Sequence, residues 1–158
     1  MTFVINKIEH RHNIAVKKII DKEWGSPVIV KGRMHYPEKL PGYTAENNDE
    51  IVGLITCHIE EDQCEIVTLN SFLPNRGIGS SLIKAVKETA KQEGCRRLWL
   101  ITTNDNIDAI RFYQMKGFNL SALYKGAVDE SRKQKPEIPR HGCYGIPIHD
   151  EVELEMTL

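Results

Sequence analysis

Two glycines stand directly before a long pattern of helical period, and this arrangement could bind an anion. The stretch Arg76-Gly77-Ile78-Gly79-Ser80 follows a strand-like apolar run and precedes the predicted helix. A helix N-terminus presents unpaired amide N–H groups and the positive end of the helix dipole, and glycine allows a phosphate to approach the backbone. The stretch therefore predicts a diphosphate-binding loop, although a plain tight turn would also place glycines there.

Two better-known phosphate-binding patterns fit this stretch less well. A dinucleotide-binding fingerprint needs a third glycine or an alanine where this chain has Leu82. A P-loop needs Gly-Lys-Ser or Gly-Lys-Thr, and the chain has Gly79-Ser80-Ser81 instead. Neither pattern accounts for the two glycines.

A second group of residues falls on one face of a later predicted helix. Asn106, Ala109 and Tyr113 share a side because seven residues span nearly two helical turns. A polar amide, a small residue and a phenol are therefore brought together. Taken singly, Asn106 could be a helix cap and Tyr113 a core residue.

The two groups together resemble the motifs of the GCN5-related N-acetyltransferase (GNAT) family. The family's loop reads Gln or Arg, two residues, Gly, any residue, Gly or Ala. Gly77-Ile78-Gly79 fit this loop, but Pro74 occupies the leading position and removes one backbone donor. The family's later motif is matched in full by Asn106, Ala109, Phe112, Tyr113, Gly117 and Phe118. The resemblance runs from Gly53 to Phe118 and implies an N-acetyltransferase.

The resemblance implies a fold, a co-substrate and a loop that binds it. The fold is an α+β (α/β/α) domain over residues 1–158, with a mixed, mostly antiparallel central sheet of six to seven strands that splays at the cofactor cleft and is flanked by helices. The co-substrate is acetyl-coenzyme A (acetyl-CoA), and no metal is implied. Its diphosphate would be bound by Arg76, Gly77, Ile78, Gly79 and Ser80.

The family also implies roles for residues around the thioester. Leu69 and Ser71 would run beside the pantetheine, with the Leu69 N–H facing the thioester oxygen. Asn106 would bind the cofactor from the opposite wall of the cleft. The small side chain of Ala109 would leave room for the cofactor at that wall. Tyr113 would protonate the departing thiolate, since a phenol and a thiol have comparable proton affinities.

The base that accepts the proton of the attacking amine is less well defined. Glu65 lies on the same strand face as Leu69 if the strand alternates regularly, which favours it as the base. His35, His58 and Glu60 are alternatives, and a water chain would also serve.

The acceptor is predicted to be a primary amine of a small molecule or peptide. In the family, the first helices and the C-terminal strands define the acceptor site, which here indicates Trp24, His35, Tyr36 and Tyr43. Residues 126–150, rich in Pro, Gly and charge, separate the last two predicted strands. We expect this insertion to be a lid or a homodimer contact, with a solvated basic loop as the alternative.

Composition excludes several other classes of protein. The 21 basic and 22 acidic side chains give a net charge of −1, which argues against a nucleic-acid-binding module. The four cysteines are widely spaced and form no C-x-x-C pair with a His at ligand spacing, which argues against a zinc site, and no stretch approaches the ~20 apolar residues of a membrane span. A cytoplasmic protein is therefore expected. The main alternative to an enzyme is a catalytically silent acyl-CoA-binding sensor.

The elements that must position these residues follow from periodicity and turn residues. A helix is predicted with Asn13 as its N-cap residue, Ile14 among its apolar positions and Gly25 ending it. The stretch 26–45 has no clear register beyond a strand at 28–30. The remaining predictions are strands at 3–5, 51–59, 64–72, 98–102, 120–124 and 152–156, and helices at 78–93 and 106–116.

Overall fold

The computed structural model describes residues 2–158. Its strands are β1 (Val4–Lys7), β2 (Val28–Val30), β3 (Arg33–His35), β4 (Gly42–Asn47), β5 (Glu50–Glu60), β6 (Gln63–Ser71), β7 (Arg97–Thr103), β8 (Asn119–Tyr124) and β9 (Glu151–Thr157). Its α-helices are α1 (Asn13–Glu23), α2 (Ile78–Gln92), α3 (Ile107–Met115) and α4 (Ala127–Gln134). Seven strands form a mostly antiparallel sheet flanked by the helices, which confirms the predicted α+β class.

The chain divides into two compact units. The first contains the chain up to Val28, His35–Leu98 and Leu158, and the second contains Ile29–Met34 and Trp99–Thr157. The first unit has the antiparallel strand order β1-β4-β5-β6, and the second has the order β7-β9-β8. Within residues 2–158, no helix has the length and apolar character needed to cross a membrane.

Helix α2 packs on the first unit's sheet through the predicted apolar stripe. Ile78, Leu82 and Val86 are fully buried, and burying each such side chain contributes about 1.5–3 kcal/mol. The helix approaches β5 so closely that a Cβ added to Gly53 would lie 2.4 Å from Ile78 Cγ2. Only glycine fits at this position.

Helix α1 covers the opposite face of the same strands. Val16 and Ile20 are buried in a cluster with Leu54 of β5. Two sequence predictions are wrong in detail here, because His12 rather than Asn13 is the N-cap residue and Ile14 is 76% exposed. The apolar stripe is narrower than the sequence suggested.

A contact between the buried His12 and the partly buried Glu46 joins the N-terminal segment to β4. His12 Nε2 lies 3.1 Å from Glu46 Oε2, which also accepts hydrogen bonds from Asn6 at 2.6 Å and Thr44 at 2.7 Å. His12 Nδ1 accepts the Glu9 N–H at 2.9 Å, so the Nε2 carries the proton that is donated to Glu46. Three side chains of the first unit therefore contact this one carboxylate oxygen.

We expect Glu46 to make the fold sensitive to acid. Burial alone raises the pKa of Glu46, but the hydrogen bonds from Thr44 and Asn6 and the adjacent His12 outweigh it and hold the pKa below its ordinary value. A carboxyl whose folded pKa is lowered stabilises the fold above its unfolded pKa, and this stability is lost as the pH falls through the folded pKa.

The expected loss can be measured by urea unfolding across the acid range. Glu46→Gln should lower the free energy of unfolding by about 1–2 kcal/mol at pH 7. The free energy of unfolding of this variant should also fall less steeply than that of the unmodified protein as the pH drops below about 5. Glu50→Gln, at the exposed start of β5, is the matched control and should leave the curve unchanged. An acid decline as steep in Glu46→Gln as in the unmodified protein would contradict the assignment.

In the second unit, the insertion at residues 126–150 contains regular secondary structure. It begins with α4 and ends with a short 3₁₀ helix at Cys143–Gly145 and a bridge between His141 and Pro147. The Arg132 guanidinium donates to the carbonyls of Pro139 at 2.6 Å and Ile148 at 2.7 Å. Internal hydrogen bonds therefore order the segment, and its function as a lid or dimer contact stays a prediction.

Candidate active site

The chain between β6 and α2 forms the turn that the glycines predicted. Asn75 and Gly77 both have positive φ, 59° and 74°, and Gly77 is the N-cap of α2. No side chain caps this helix, and its first turn has no acidic residue. The first intrahelical bond of the turn is donated by Ser81 to the Gly77 carbonyl at 3.0 Å.

This turn presents several donors to an anion. The N–H groups of Ile78, Gly79 and Ser80 precede the Ser81 bond and so lack an intrahelical acceptor. Arg76 is exposed beside them and adds positive charge. The turn therefore combines backbone donors, the helix dipole and a guanidinium, which are the groups that bind phosphate.

Strand β6 carries the residues predicted to run beside the pantetheine. Leu69 is half-buried and pairs with Ile55 of β5, and Ser71 is exposed and donates a hydrogen bond to the Leu73 carbonyl at 3.3 Å. Between them, Asn70 Oδ1 accepts the indole N–H of Trp24 at 2.6 Å. This hydrogen bond connects the C-terminal end of α1 to β6 beside Leu69.

A bulge in β6 overturns the argument that put Glu65 on the face of Leu69. Thr68 pairs with Thr56, but Ile66 pairs with Cys57, so Val67 is an extra residue in β6. Side chains of a strand alternate between its two faces, and one extra residue shifts this alternation by one position for all residues beyond it. Glu65 therefore shares a face with Thr68, and Leu69 points to the other face.

The bulge places Glu65 on the face of the hairpin that α1 covers. Glu65 pairs directly with His58, two residues from Thr56, and Asn70 on this face bonds Trp24. Tyr43, in contrast, hydrogen-bonds the Thr89 hydroxyl of α2 on the opposite face. Of the predicted acceptor residues in this unit, Trp24 and His35 lie with Glu65, and Tyr43 does not.

The four candidate bases form one contact chain. Glu65 is 2% exposed, and its Oε1 lies 3.2 Å from Nε2 of the buried His35. The His35 ring packs against the His58 ring with centroids 5.4 Å apart, and His58 Nε2 lies 3.7 Å from Oε2 of the exposed Glu60. Sequence reasoning treated these residues as alternatives, whereas the structure connects a buried carboxylate to the surface through them.

Helix α3 of the second unit carries the second motif. Asn106 is the N-cap residue, but its side chain does not cap the helix and donates instead to Thr102 Oγ1 at 3.1 Å. Tyr113 is 8% exposed and packs edge-on against Phe112 and Phe118, with ring centroids 5.4 Å apart in both pairs. Burial raises the pKa of Tyr113, so its phenol keeps its proton.

Sequence reasoning missed Asp105, which orders the start of α3. Asp105 is 4% exposed and accepts hydrogen bonds from the Thr103 hydroxyl and, at 2.8 Å, from the Cys143 N–H. A Cβ added to Gly142 would lie 1.9 Å from Asp105 Oδ2. Gly142 is distant in sequence, so only the neighbouring Thr103 gave a signal for this carboxylate.

The predicted site residues therefore fall into two groups, one in each unit. The first unit holds Glu65, Leu69, Ser71, Arg76, Gly77, Ile78, Gly79 and Ser80, and the second holds Asn106, Ala109 and Tyr113. Among residues 2–158, no three His, Cys, Asp or Glu side chains are grouped as metal ligands.

Comparison with known proteins shows what this chain is similar to. It is 43% identical over 145 residues to the uncharacterized protein YxbD of Bacillus subtilis (strain 168), and the match covers 90% of this chain and 91% of YxbD. The structure of the IAA acetyltransferase from Bacillus cereus ATCC 14579 aligns with this chain at a TM-score of 0.76 and 20% identity. The alignment covers 99% of this chain and 100% of that acetyltransferase. A Bacillus subtilis acetyltransferase in complex with CoA has a TM-score of 0.70 at 22% identity, with 99% of each chain covered.

These two structural likenesses establish the fold. The sequence comparison goes further, because the model of the Acetyltransferase (GNAT) family matches residues 14–118, which include both motifs. The chain therefore belongs to the Acetyltransferase (GNAT) family.

Proposed function

We propose that this protein transfers an acetyl group from acetyl-CoA to a primary amine of a small molecule or peptide. The observation that carries the proposal is the uncapped start of α2 behind Gly77 in a chain of this family. The related Bacillus subtilis acetyltransferase, whose structure contains CoA, supports the choice of co-substrate. The reaction is direct attack of the amine on the thioester through a tetrahedral intermediate.

The diphosphate binds to the turn at the start of α2. The N–H groups of Ile78, Gly79 and Ser80 donate to the phosphate oxygens, and Arg76 pairs with their charge. Each hydrogen bond to a charged group contributes about 1.5–3 kcal/mol. Pro74 cannot donate, so the loop relies on the amides that follow Gly77.

The thioester is positioned by β6. Leu69 and Ser71 run beside the pantetheine as a strand would, and the Leu69 N–H stabilises the oxyanion that forms on the thioester carbonyl. One preorganised donor at that position contributes on the order of 3 kcal/mol. Asn106 holds the pantetheine from α3, and the small side chain of Ala109 leaves room for it.

Two proton transfers complete the reaction. The neutral amine attacks the carbonyl carbon, the new C–N bond forms, and the amine proton passes to the Glu65 carboxylate. When the C–S bond breaks, the thiolate takes the Tyr113 proton, and solvent restores that proton later. Burial raises the pKa of Tyr113, which keeps this acid protonated between turnovers.

His35 positions the base, and His58 and Glu60 connect it to solvent. The 3.2 Å contact between His35 Nε2 and Glu65 Oε1 fixes the orientation of the carboxylate. The half-exposed His58 and exposed Glu60 continue from this pair to the surface. After product release, water takes the amine proton from Glu65.

Replacing Glu65 with glutamine should lower kcat about tenfold, because a water chain can take over part of the base's role. Ionisation of the free amine affects both proteins equally, so the loss should appear in kcat with saturating amine, and steady-state thiol release with one amine measures it. The exposed Gln63→Glu change at the start of the same strand is the matched control and should leave kcat unchanged. An unchanged kcat in Glu65→Gln would place the base elsewhere.

Calorimetry with acetyl-CoA, followed by thiol release with a panel of primary amines, tests the proposed function. We expect binding of acetyl-CoA and turnover with at least one amine. Tight binding without turnover on any amine would favour an acyl-CoA sensor. Absence of acetyl-CoA binding would refute the role of the α2 turn.

A further inference from the structure

Strand β8 is the outer strand of the second unit's sheet, and its side chains leave an apolar edge exposed. Among residues 2–158, β8 pairs only with β9, so the backbone groups on its other side have no neighbouring strand. Natural edge strands commonly avoid pairing with other chains through charged residues or proline, and Asn119–Tyr124 contains neither. Leu120 and Leu123 of this strand are 56% and 64% exposed. The edge therefore has the features of a strand that pairs with another chain.

A bulge in β8 brings the two exposed leucines to one face of the sheet. Leu120 lies opposite Leu154 of β9 and Leu123 lies opposite Val152, while Ser121 between them is an extra residue. Val152 and Leu154 are two positions apart and therefore share a face. Leu120 and Leu123 share that face with them, although leucines three positions apart in a regular strand would point to opposite faces.

The face that carries these leucines is covered at β9 and open at β8. Leu154 and Met156 of β9 are buried on this face and belong to the core. Leu120 and Leu123 continue the same apolar surface one strand further out, where most of each side chain contacts solvent. A further strand that extended the sheet beyond β8 would cover them and would remove this apolar surface from water.

The sequence of β8 is complementary to itself in one antiparallel register. A two-fold axis between Ser121 and Ala122 places Leu120 opposite Leu123 of a second copy and Leu123 opposite Leu120 of that copy. Directly opposite residues of an antiparallel pair point to the same face of the sheet. Because the bulge gives both leucines one face, this register brings four leucine side chains together. The first and last residues of the strand also lie opposite each other, and no charged residue of β8 faces another.

We propose that β8 is a homodimer interface at which the β8 strands of two copies pair antiparallel in this register. The occupant of the edge is a second copy because one register covers both leucines of both strands at once. Such a two-fold contact uses the same surface on each copy and closes after two copies. The interface does not depend on the proposed acetyl transfer. It places the dimer contact on β8 itself and not in the insertion at residues 126–150.

Sedimentation velocity at several protein concentrations tests the interface. We expect the unmodified protein to show a concentration-dependent equilibrium between monomer and dimer. Leu120→Lys combined with Leu123→Lys places like charges directly opposite each other and should raise the dimer Kd at least about tenfold. Val4→Lys changes a residue that is 62% exposed on β1, the other edge strand, so it is the matched control and should leave the equilibrium unchanged.

A charge-complementary variant tests the register and shows whether charges at these positions are tolerated by the fold. Leu120→Lys combined with Leu123→Glu places a lysine opposite a glutamate twice in the proposed register, so this variant should dimerise more tightly than the double-lysine variant, and added salt should weaken its dimer. A two-fold axis at Leu120 or at Leu123 would instead place like charges opposite each other. The proposal would be overturned by an unmodified protein that stays monomeric, by a dimer that survives the double-lysine change, or by equal dissociation of the two charged variants.

Discussion

Replacing Tyr113 with phenylalanine is expected to lower kcat for acetyl transfer by about 100-fold and to leave the Kd for acetyl-CoA within about twofold. The substitution removes only the phenolic hydroxyl. The edge-on ring contacts with Phe112 and Phe118 are made by the aromatic ring, which phenylalanine retains. The departing thiolate must then leave without an acid, and this cost appears in the rate and not in binding.

The burial of Tyr113 also predicts the pH dependence of the reaction. Because burial raises the pKa of Tyr113 above the ordinary value of 10.0, the phenol keeps its proton throughout the neutral and mildly alkaline range. The unmodified protein should therefore show no alkaline decline of kcat from this group below pH 10. An equal loss of kcat and cofactor affinity in Tyr113→Phe, or an alkaline decline that disappears in it, would contradict this account.

The strongest periodic elements could be predicted from the sequence because each local signal agreed with the fold. The apolar residues of α2 recur with a clear helical period, and Gly94, with φ of 82°, lies just beyond the predicted end of this helix at residue 93. The β5–β6 hairpin is equally clear, since polar residues at Glu60-Glu61-Asp62 separate two long apolar runs. Both elements lead directly into the diphosphate loop.

The face of Glu65 could not be predicted, because a bulge leaves no mark in an alternating pattern. One extra residue, Val67, reverses the assignment of Glu65 and Leu69 that regular alternation implied. The contact between His35 and Glu65 joins residues 30 positions apart through the short strand β3, which the sequence did not indicate. The cluster of bases is thus a property of tertiary structure.

The buried polar residues of the second unit could not be predicted for a related reason. An alternating strand ordinarily turns its charged side chains to solvent, but Glu151 and Glu153 of β9 are buried, at 3% and 7% exposure. Their partners include Lys31, which is more than a hundred residues away in the chain. A buried charge needs such a partner, and no local pattern identifies one.

Replacing Gly77 with aspartate should weaken acetyl-CoA binding by about 100-fold while leaving the fold intact. A Cβ added to Gly77 meets no heavy atom within 4 Å, and aspartate tolerates the left-handed conformation better than most residues do. An acidic residue at a helix N-terminus also stabilises the helix. Gly79 is buried, so the same change there would disturb packing as well as binding.

The expected loss follows from charge. A carboxylate about 6 Å from each of two phosphate charges, at an effective dielectric constant of about 40, adds about 3 kcal/mol of repulsion, or roughly 100-fold in Kd. Gly77→Asn has nearly the same shape without the charge and should change the Kd only about threefold. Calorimetry at two ionic strengths should show the difference between the two variants shrinking as salt screens the repulsion. Equal affinities of the aspartate and asparagine variants at low salt would show that the start of α2 does not bind the diphosphate.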